Sequence, residues 1–184
     1  MSSINKHVLF IQGGGSKEDY EADKILVDSL QEVLGEAYCM HYPLLPNESV
    51  PDLGRIKQIG KEISLIGGEL ILVGHSLGAS MLLKYFSENE IKKKITAIFL
   101  ISTPFWNGDE DWKEGFKLQE HFADKLSHDV PIFFYHCHDD EEVPFGHLAI
   151  YRQKLPWATF REISSGGHQL NNDLTIVAND IKSL

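Results

Sequence analysis

Apolar and polar positions along the chain fall into two rhythms. Short, nearly unbroken apolar runs recur at His7–Gln12, Tyr38–Tyr42, Glu69–Val73, Ile95–Ile101, Pro131–Tyr135 and Trp157–Ile163, and each predicts a strand. Runs with no polar alternation suit a parallel sheet covered on both faces. Between them lie segments with helical spacing. Glu18–Leu34 carries Ala22, Ile25, Leu26, Leu30, Val33 and Leu34, and Leu53–Ile66 carries Leu53, Ile56, Ile59, Ile63 and Ile66. Further helices are expected over Ser76–Phe86 and Leu170–Leu184. Strands alternating with helices predict a doubly wound α/β fold, a mostly parallel six-stranded sheet with helices on both faces. No repeat, low-complexity tract or linker divides residues 1–184, so a single domain is expected. Right-handed crossovers in the usual strand order bring the first and third strands together at the switch point. The loop Gly13-Gly14-Gly15 then lies beside Ser76, at the carboxyl ends of the strands.

The third strand runs straight into Gly74-His75-Ser76-Leu77-Gly78. A serine between two glycines, after a buried strand and before a helix, fits a turn so tight that a Cβ at either glycine would clash. A Ser hydroxyl becomes a good nucleophile only when a base takes its proton, and the base works best when a carboxylate fixes its tautomer. Both partner types follow in the chain. The fifth strand leads into His136-Cys137-His138-Asp139-Asp140-Glu141-Glu142-Val143-Pro144, and the sixth into Ser164-Ser165-Gly166-Gly167-His168.

Taken together, the G-x-S-x-G turn, the glycine loop, the acidic loop and the late G-G-H resemble a small α/β hydrolase of the serine-hydrolase kind, from the first strand to the last helix. Relatives often carry H-G-x-x-D-x-x-V-P in the acidic loop; this chain matches at His136, Asp140, Val143 and Pro144, with Cys137 replacing the glycine. The resemblance implies Ser76 as nucleophile, His168 as base and Asp140, not Asp139, as the acid. It sets aside His147 as too near Asp140 in sequence to occupy a separate loop, and it treats His75 as scaffolding. It also implies an oxyanion hole from the backbone N–H groups of Leu77 and Gly14, with Gly13 or Gly15 as substitutes if the register differs. Gln12 stands where many relatives have a histidine. The family's usual first two strands are missing, which makes this a minimal version. Residues 103–130, rich in aromatics, occupy the place of a cap. So short an insertion implies at most a helix and a loop, either packed on the core or offering Trp106 and Trp112, with Gly13, as walls for a substrate.

Two other readings compete. His136-x-His138-x-Asp140 matches the start of the metal motif of metallo-β-lactamase-like hydrolases, but Glu141 occupies the next ligand position and no metal is expected. A hydrolase fold can also persist as a protein-binding module. Composition narrows the partners. The net charge of −10 argues against nucleic acid, since phosphate binding needs a basic footprint. Lys92-Lys93-Lys94 reads as a solvated helix end. Two cysteines far apart, Cys39 and Cys137, make no disulfide framework. The N-terminal apolar stretch is too short for a secretory core, and no run approaches the roughly 18 residues of a membrane span. The expectation is a cytoplasmic enzyme without cofactor, acting on a small ester-like molecule.

Overall fold

A computed structural model of the chain describes residues 6–184; residues 1–5, part of the N-terminal stretch read above for a leader, lie outside the described residues. The strands are β1 (Lys6–Ile11), β2 (Tyr38–His41), β3 (Glu69–His75), β4 (Ile95–Ile101), β5 (Ile132–Cys137) and β6 (Thr159–Ile163). They form one sheet in the order β2-β1-β3-β4-β5-β6, every neighbouring pair parallel. The helices are α1 (Lys17–Leu34), α2 (Arg55–Leu65), α3 (Leu77–Glu88), α4 (Gly146–Lys154) and α5 (Thr175–Lys182). This is the doubly wound α/β architecture expected from the alternation.

The four inner strands, β1, β3, β4 and β5, bury both of their faces, which is why they read as continuous apolar runs, while the edge strands β2 and β6 are only partly covered. Leu9, Ile11, Leu70, Leu72, Ile98, Leu100, Ile132 and Phe134 pack under α2, α3 and α4. Val8, Phe10, Ile71, Val73, Phe99, Ile101 and Tyr135 pack under α1 and α5. At about 1.5–3 kcal/mol for each fully buried large apolar side chain, these two layers supply the main favourable contribution to folding. The strand order reverses between β1 and β3, where Ile11 pairs with Gly74. Beyond that pair the two chains diverge at the carboxyl edge and leave a crevice between them.

Several elements depart from the expected pattern. In α1 the buried residues are Asp23, Leu26, Val27, Leu30 and Leu34, while Ala22 and Ile25 face solvent. The true stripe therefore includes a carboxylate. Likewise α2 buries Arg55 and Gln58 beside Ile59 and Ile63. No helix was expected between the fifth and sixth strands, yet α4 stands there. It is nine residues long and buries only Leu148 and Tyr151, too faint a stripe to read by periodicity. The closing helix begins at Thr175, because Leu170, Asn171 and Asn172 all adopt positive φ and cannot continue a right-handed helix. Between β4 and β5 the expected cap helix is replaced by two 3-10 turns, Asp111–Lys113 and Phe122–Lys125. Phe116 and Phe122 of this segment sink into the core under α3.

Candidate active site

Ser76 sits where β3 turns into α3, with φ 52° and ψ −121°, a conformation L-residues avoid. Its N–H donates to the carbonyl of Ile101 at 2.8 Å, and its side chain makes no capping bond to the helix. An ordinary helix N-cap would use that hydroxyl on the helix; here it is left free. The flanking glycines have a steric cause. A Cβ on Gly74 would lie 2.7 Å from the Ala79 Cα, and one on Gly78 would lie 2.3 Å from the carbonyl oxygens of Ile11 and Gln12. Leu77 is the first residue of α3, so its N–H has no acceptor within the helix.

The acidic and histidine loops meet beyond the ends of β5 and β6. His168 is buried, and its Nδ1 lies 3.0 Å from each carboxylate oxygen of Asp140. Burial alone would raise the Asp140 pKa. Hydrogen bonds from His136, from His168 and from the N–H groups of Val143 (2.8 Å) and Glu142 (2.9 Å) outweigh it and hold the carboxyl far below the usual range. Asp139 turns elsewhere and accepts the N–H groups of Gly166 and Gly167, clamping the histidine loop. The exposed carboxylate of Glu142 stands 3.5 Å from Nε2 of His168. His136 donates from Nε2 to the carbonyl of Val143, whereas His138 turns outward to Glu162 and stacks on Phe145. The three-residue metal motif is thus not gathered. Cys137 is no rival nucleophile, since burial and the neighbouring acids push its thiol up to about 11.

The glycine loop packs directly on the elbow: a Cβ on Gly13 would fall 3.1 Å from that of Ser76. Its three N–H groups are used differently. Gly13 donates to Asp23 at 2.7 Å and Gly15 to Asp19 at 3.1 Å. Among the described residues the N–H of Gly14 has no acceptor. The carbonyl of Gly14 is held by Arg55, a fully buried guanidinium that also donates to Pro46, Asn47 and Gln58. Gln12 anchors the N–H of Leu45 and does not enter the cleft.

Behind Ser76 lies a second Asp–His pair that the sequence reading missed. His75 Nδ1 is 2.9 Å from Asp23, and its Nε2 is 3.0 Å from the carbonyl oxygen of His168. With Asp23 ionised, the direction in which its pKa is shifted, both partners are acceptors, and the arrangement favours a proton on each ring nitrogen of His75. Burial opposes that charge, but the Asp23 carboxylate overrides it and raises the His75 pKa. Ser102 donates to the same His168 carbonyl at 2.9 Å. The one signal for this network in the sequence is a carboxylate, Asp23, on the buried stripe of α1.

Ser76, Leu77, Gly13, Gly14 and His168 line one cleft of about 450 Å³, and Trp106 forms part of its wall. The Trp106 ring is fixed by donation to Ser80 at 2.9 Å and by Phe116 behind it. Trp112 does not reach the cleft; it packs edge-on against Trp106 and is 61% exposed. His147 lines the cleft too, but its Nδ1 accepts the N–H of Phe105, which fixes the loop after β4.

A family model described as serine hydrolase matches residues 50–174, the stretch that contains Ser76, Asp140 and His168. The chain belongs to the serine hydrolase family. The match omits the glycine loop and Asp23, which come from the chain before it. No curated protein matches the sequence of this serine hydrolase. Among solved structures it resembles the ydeN gene product of B. subtilis, at 18% identity over 97% of each chain with a TM-score of 0.70. It also resembles a thioesterase domain from the curacin biosynthetic pathway, at 16% identity over 99% of this chain and 93% of that one (TM-score 0.73). An esterase domain from a Rhodothermus marinus protein superposes with a TM-score of 0.65, at 15% identity over all of this chain and 86% of that one. At these identities the likeness is one of fold.

Proposed function

We propose that this serine hydrolase cleaves small carboxylic esters through an acyl-enzyme on Ser76. The observation that carries the reading is the Asp140–His168 pair beside the elbow. With Nδ1–H given to the carboxylate, Nε2 is the nitrogen left to take a proton, in the cleft that Ser76 also lines and with the exposed Glu142 carboxylate 3.5 Å away. In the proposed reaction Nε2 takes the Ser76 proton as Oγ attacks the ester carbonyl. The negative charge that develops on the carbonyl oxygen is met by the N–H groups of Leu77 and Gly14, the two left without acceptors on either side of the crevice. His168 then returns the proton to the leaving alcohol, and water repeats the sequence to release the acid. Asp140 holds the tautomer and stabilises the imidazolium that forms. No step requires a cofactor. Fold neighbours named as an esterase domain and a thioesterase domain support acyl transfer as the chemistry, with thioesters and amides as neighbouring substrate classes. Two free cysteines, and no helix among the described residues long and apolar enough to cross a membrane, support work in the cytoplasm on a small molecule. We read residues 103–130 as packing and cleft wall within one domain, because Phe116 and Phe122 are core residues while Phe105 and Trp106 line the cleft.

The openness of the cleft sets the substrate test. A cleft half open to solvent, with Trp106 as one wall, covers few acyl methylenes, and each one left in water forfeits about 0.8 kcal/mol, several-fold in binding. Across p-nitrophenyl esters of increasing length, kcat/KM should peak at acetate or butyrate, and Trp106→Ala should move that peak to longer chains. Efficiency that climbs steadily to long acyl chains would contradict the reading.

A further inference from the structure

The edge of the sheet carries a cluster that the proposed hydrolysis does not use. β2 is an edge strand, and Cys39 and His41 lie two residues apart on it, so both side chains leave the same face. His7 of β1 is the direct register partner of Cys39, and Leu9 is that of His41. All three side chains therefore emerge on the side covered by α2 and α3. The ligand atoms of His7, Cys39 and His41 lie within 4.8 Å of one another, the only such group of three among the described residues. Nδ1 of His7 and Nε2 of His41 are 2.9 Å apart, with the rings tilted by 39° so that the two nitrogens converge. Each residue is partly exposed, which leaves a route for an ion, and none of them lines the catalytic cleft. The Glu62 carboxylate on α2 is close enough to act electrostatically on His41.

We infer that His7, Cys39 and His41 form a transition-metal site suited to Zn²⁺. Two imidazoles and a thiolate are the donor set such borderline ions prefer, and alkaline-earth ions do not. Tetrahedral zinc would hold two imidazole nitrogens about 3.3 Å apart, slightly wider than the present hydrogen-bonded pair, so as the ion enters between them the donor ring's proton moves through solvent to that ring's other nitrogen and both rings stay neutral. The Cys39 proton leaves to solvent. Water completes the coordination. The strand register fixes the spacing of the Cα atoms, so the bound ion ties the short edge strand to β1. This site is independent of the proposed ester hydrolysis.

The test uses tag-free, chelator-treated full-length protein titrated with Zn²⁺ against a chromophoric chelator, and with Co²⁺ as a spectroscopic stand-in. One equivalent should bind, and the Co²⁺ form should show a thiolate-to-metal charge-transfer band. Cys39→Ser should abolish that band, and His41→Ala should weaken Zn²⁺ binding at least about 100-fold, because losing a ligand costs no less than losing its outer support. Cys39→Ser is nearly isosteric, so its unchanged metal-free melting temperature controls for folding if His41→Ala proves unstable. Failure to bind one equivalent, or binding and a charge-transfer band that persist in Cys39→Ser, would overturn the proposal.

Discussion

At the residue scale, neighbouring carboxylates of the acidic loop have different jobs. Asp140 faces the imidazole of His168, whereas Asp139 grips the backbone of Gly166 and Gly167. Asp140→Asn keeps the shape but favours the wrong tautomer of His168, so kcat should fall by about 10⁴. Asp139→Asn should cost far less, because one oxygen of Asp139 accepts both N–H groups and an amide oxygen in its place can keep them. Steady-state kinetics on a short ester would compare them, and equal losses would contradict the assignment. That Asp140 would meet His168, and that Ser76 and His168 would share a cleft, was legible in the sequence because each residue type is tied to a motif with its own spacing. Trp112 was not: an aromatic near a site in sequence carries no information on which way its ring turns, and it packs behind Trp106. His75 shows the reverse limit. Its side chain does turn from Ser76, but no sequence pattern announces that it joins Asp23 to the carbonyl of His168.

At the scale of elements, α1 and the glycine loop act as one unit. Ser16 and Asp19 form a reciprocal capping box at the start of α1, and the Asp19 carboxylate also accepts the N–H of Gly15. One turn later Asp23 accepts the N–H of Gly13 and the proton of His75. Since His75 in turn holds the carbonyl of His168, Asp23 links the glycine loop to the histidine loop across the elbow. Asp23→Asn should therefore lower kcat by about 10–100-fold, somewhat less than deleting an oxyanion donor outright, with KM little changed. A lower melting temperature with unchanged kcat would confine Asp23 to folding. These links escaped the sequence reading because periodicity ranks apolar residues. A buried Asp23 or Arg55 on a stripe looks like an interruption until its partners, distant in the chain, are known. The short helix α4 escaped for a simpler reason, having two buried side chains and no cap to announce it.

Across the whole molecule, the doubly wound sheet was the most legible feature. Six apolar runs leave little choice once both faces must be covered, and the switch point followed from right-handed crossovers together with the usual strand order. The buried Asp23–His75 pair couples this fold to pH. The folded His75 pKa is raised, so its contribution is complete below the unfolded value of 6.5 and is lost as pH rises through the folded value. For Asp23 burial is overcome by His75 and the N–H of Gly13, and its pKa is lowered. Its contribution is present above 3.8 and is lost as pH falls through the folded value. Urea midpoints measured from about pH 5 to 9 should fall more steeply on the alkaline side in the wild type than in His75→Gln. Parallel profiles would contradict an imidazolium at this position. The central claim, that Ser76 is a nucleophile activated by His168, is tested most directly by reaction with a fluorophosphonate followed by intact mass and peptide mapping. One adduct per chain is predicted, located on Ser76, absent in Ser76→Ala and strongly slowed in His168→Ala. An unmodified wild-type protein after prolonged exposure, or an adduct on another residue, would contradict it.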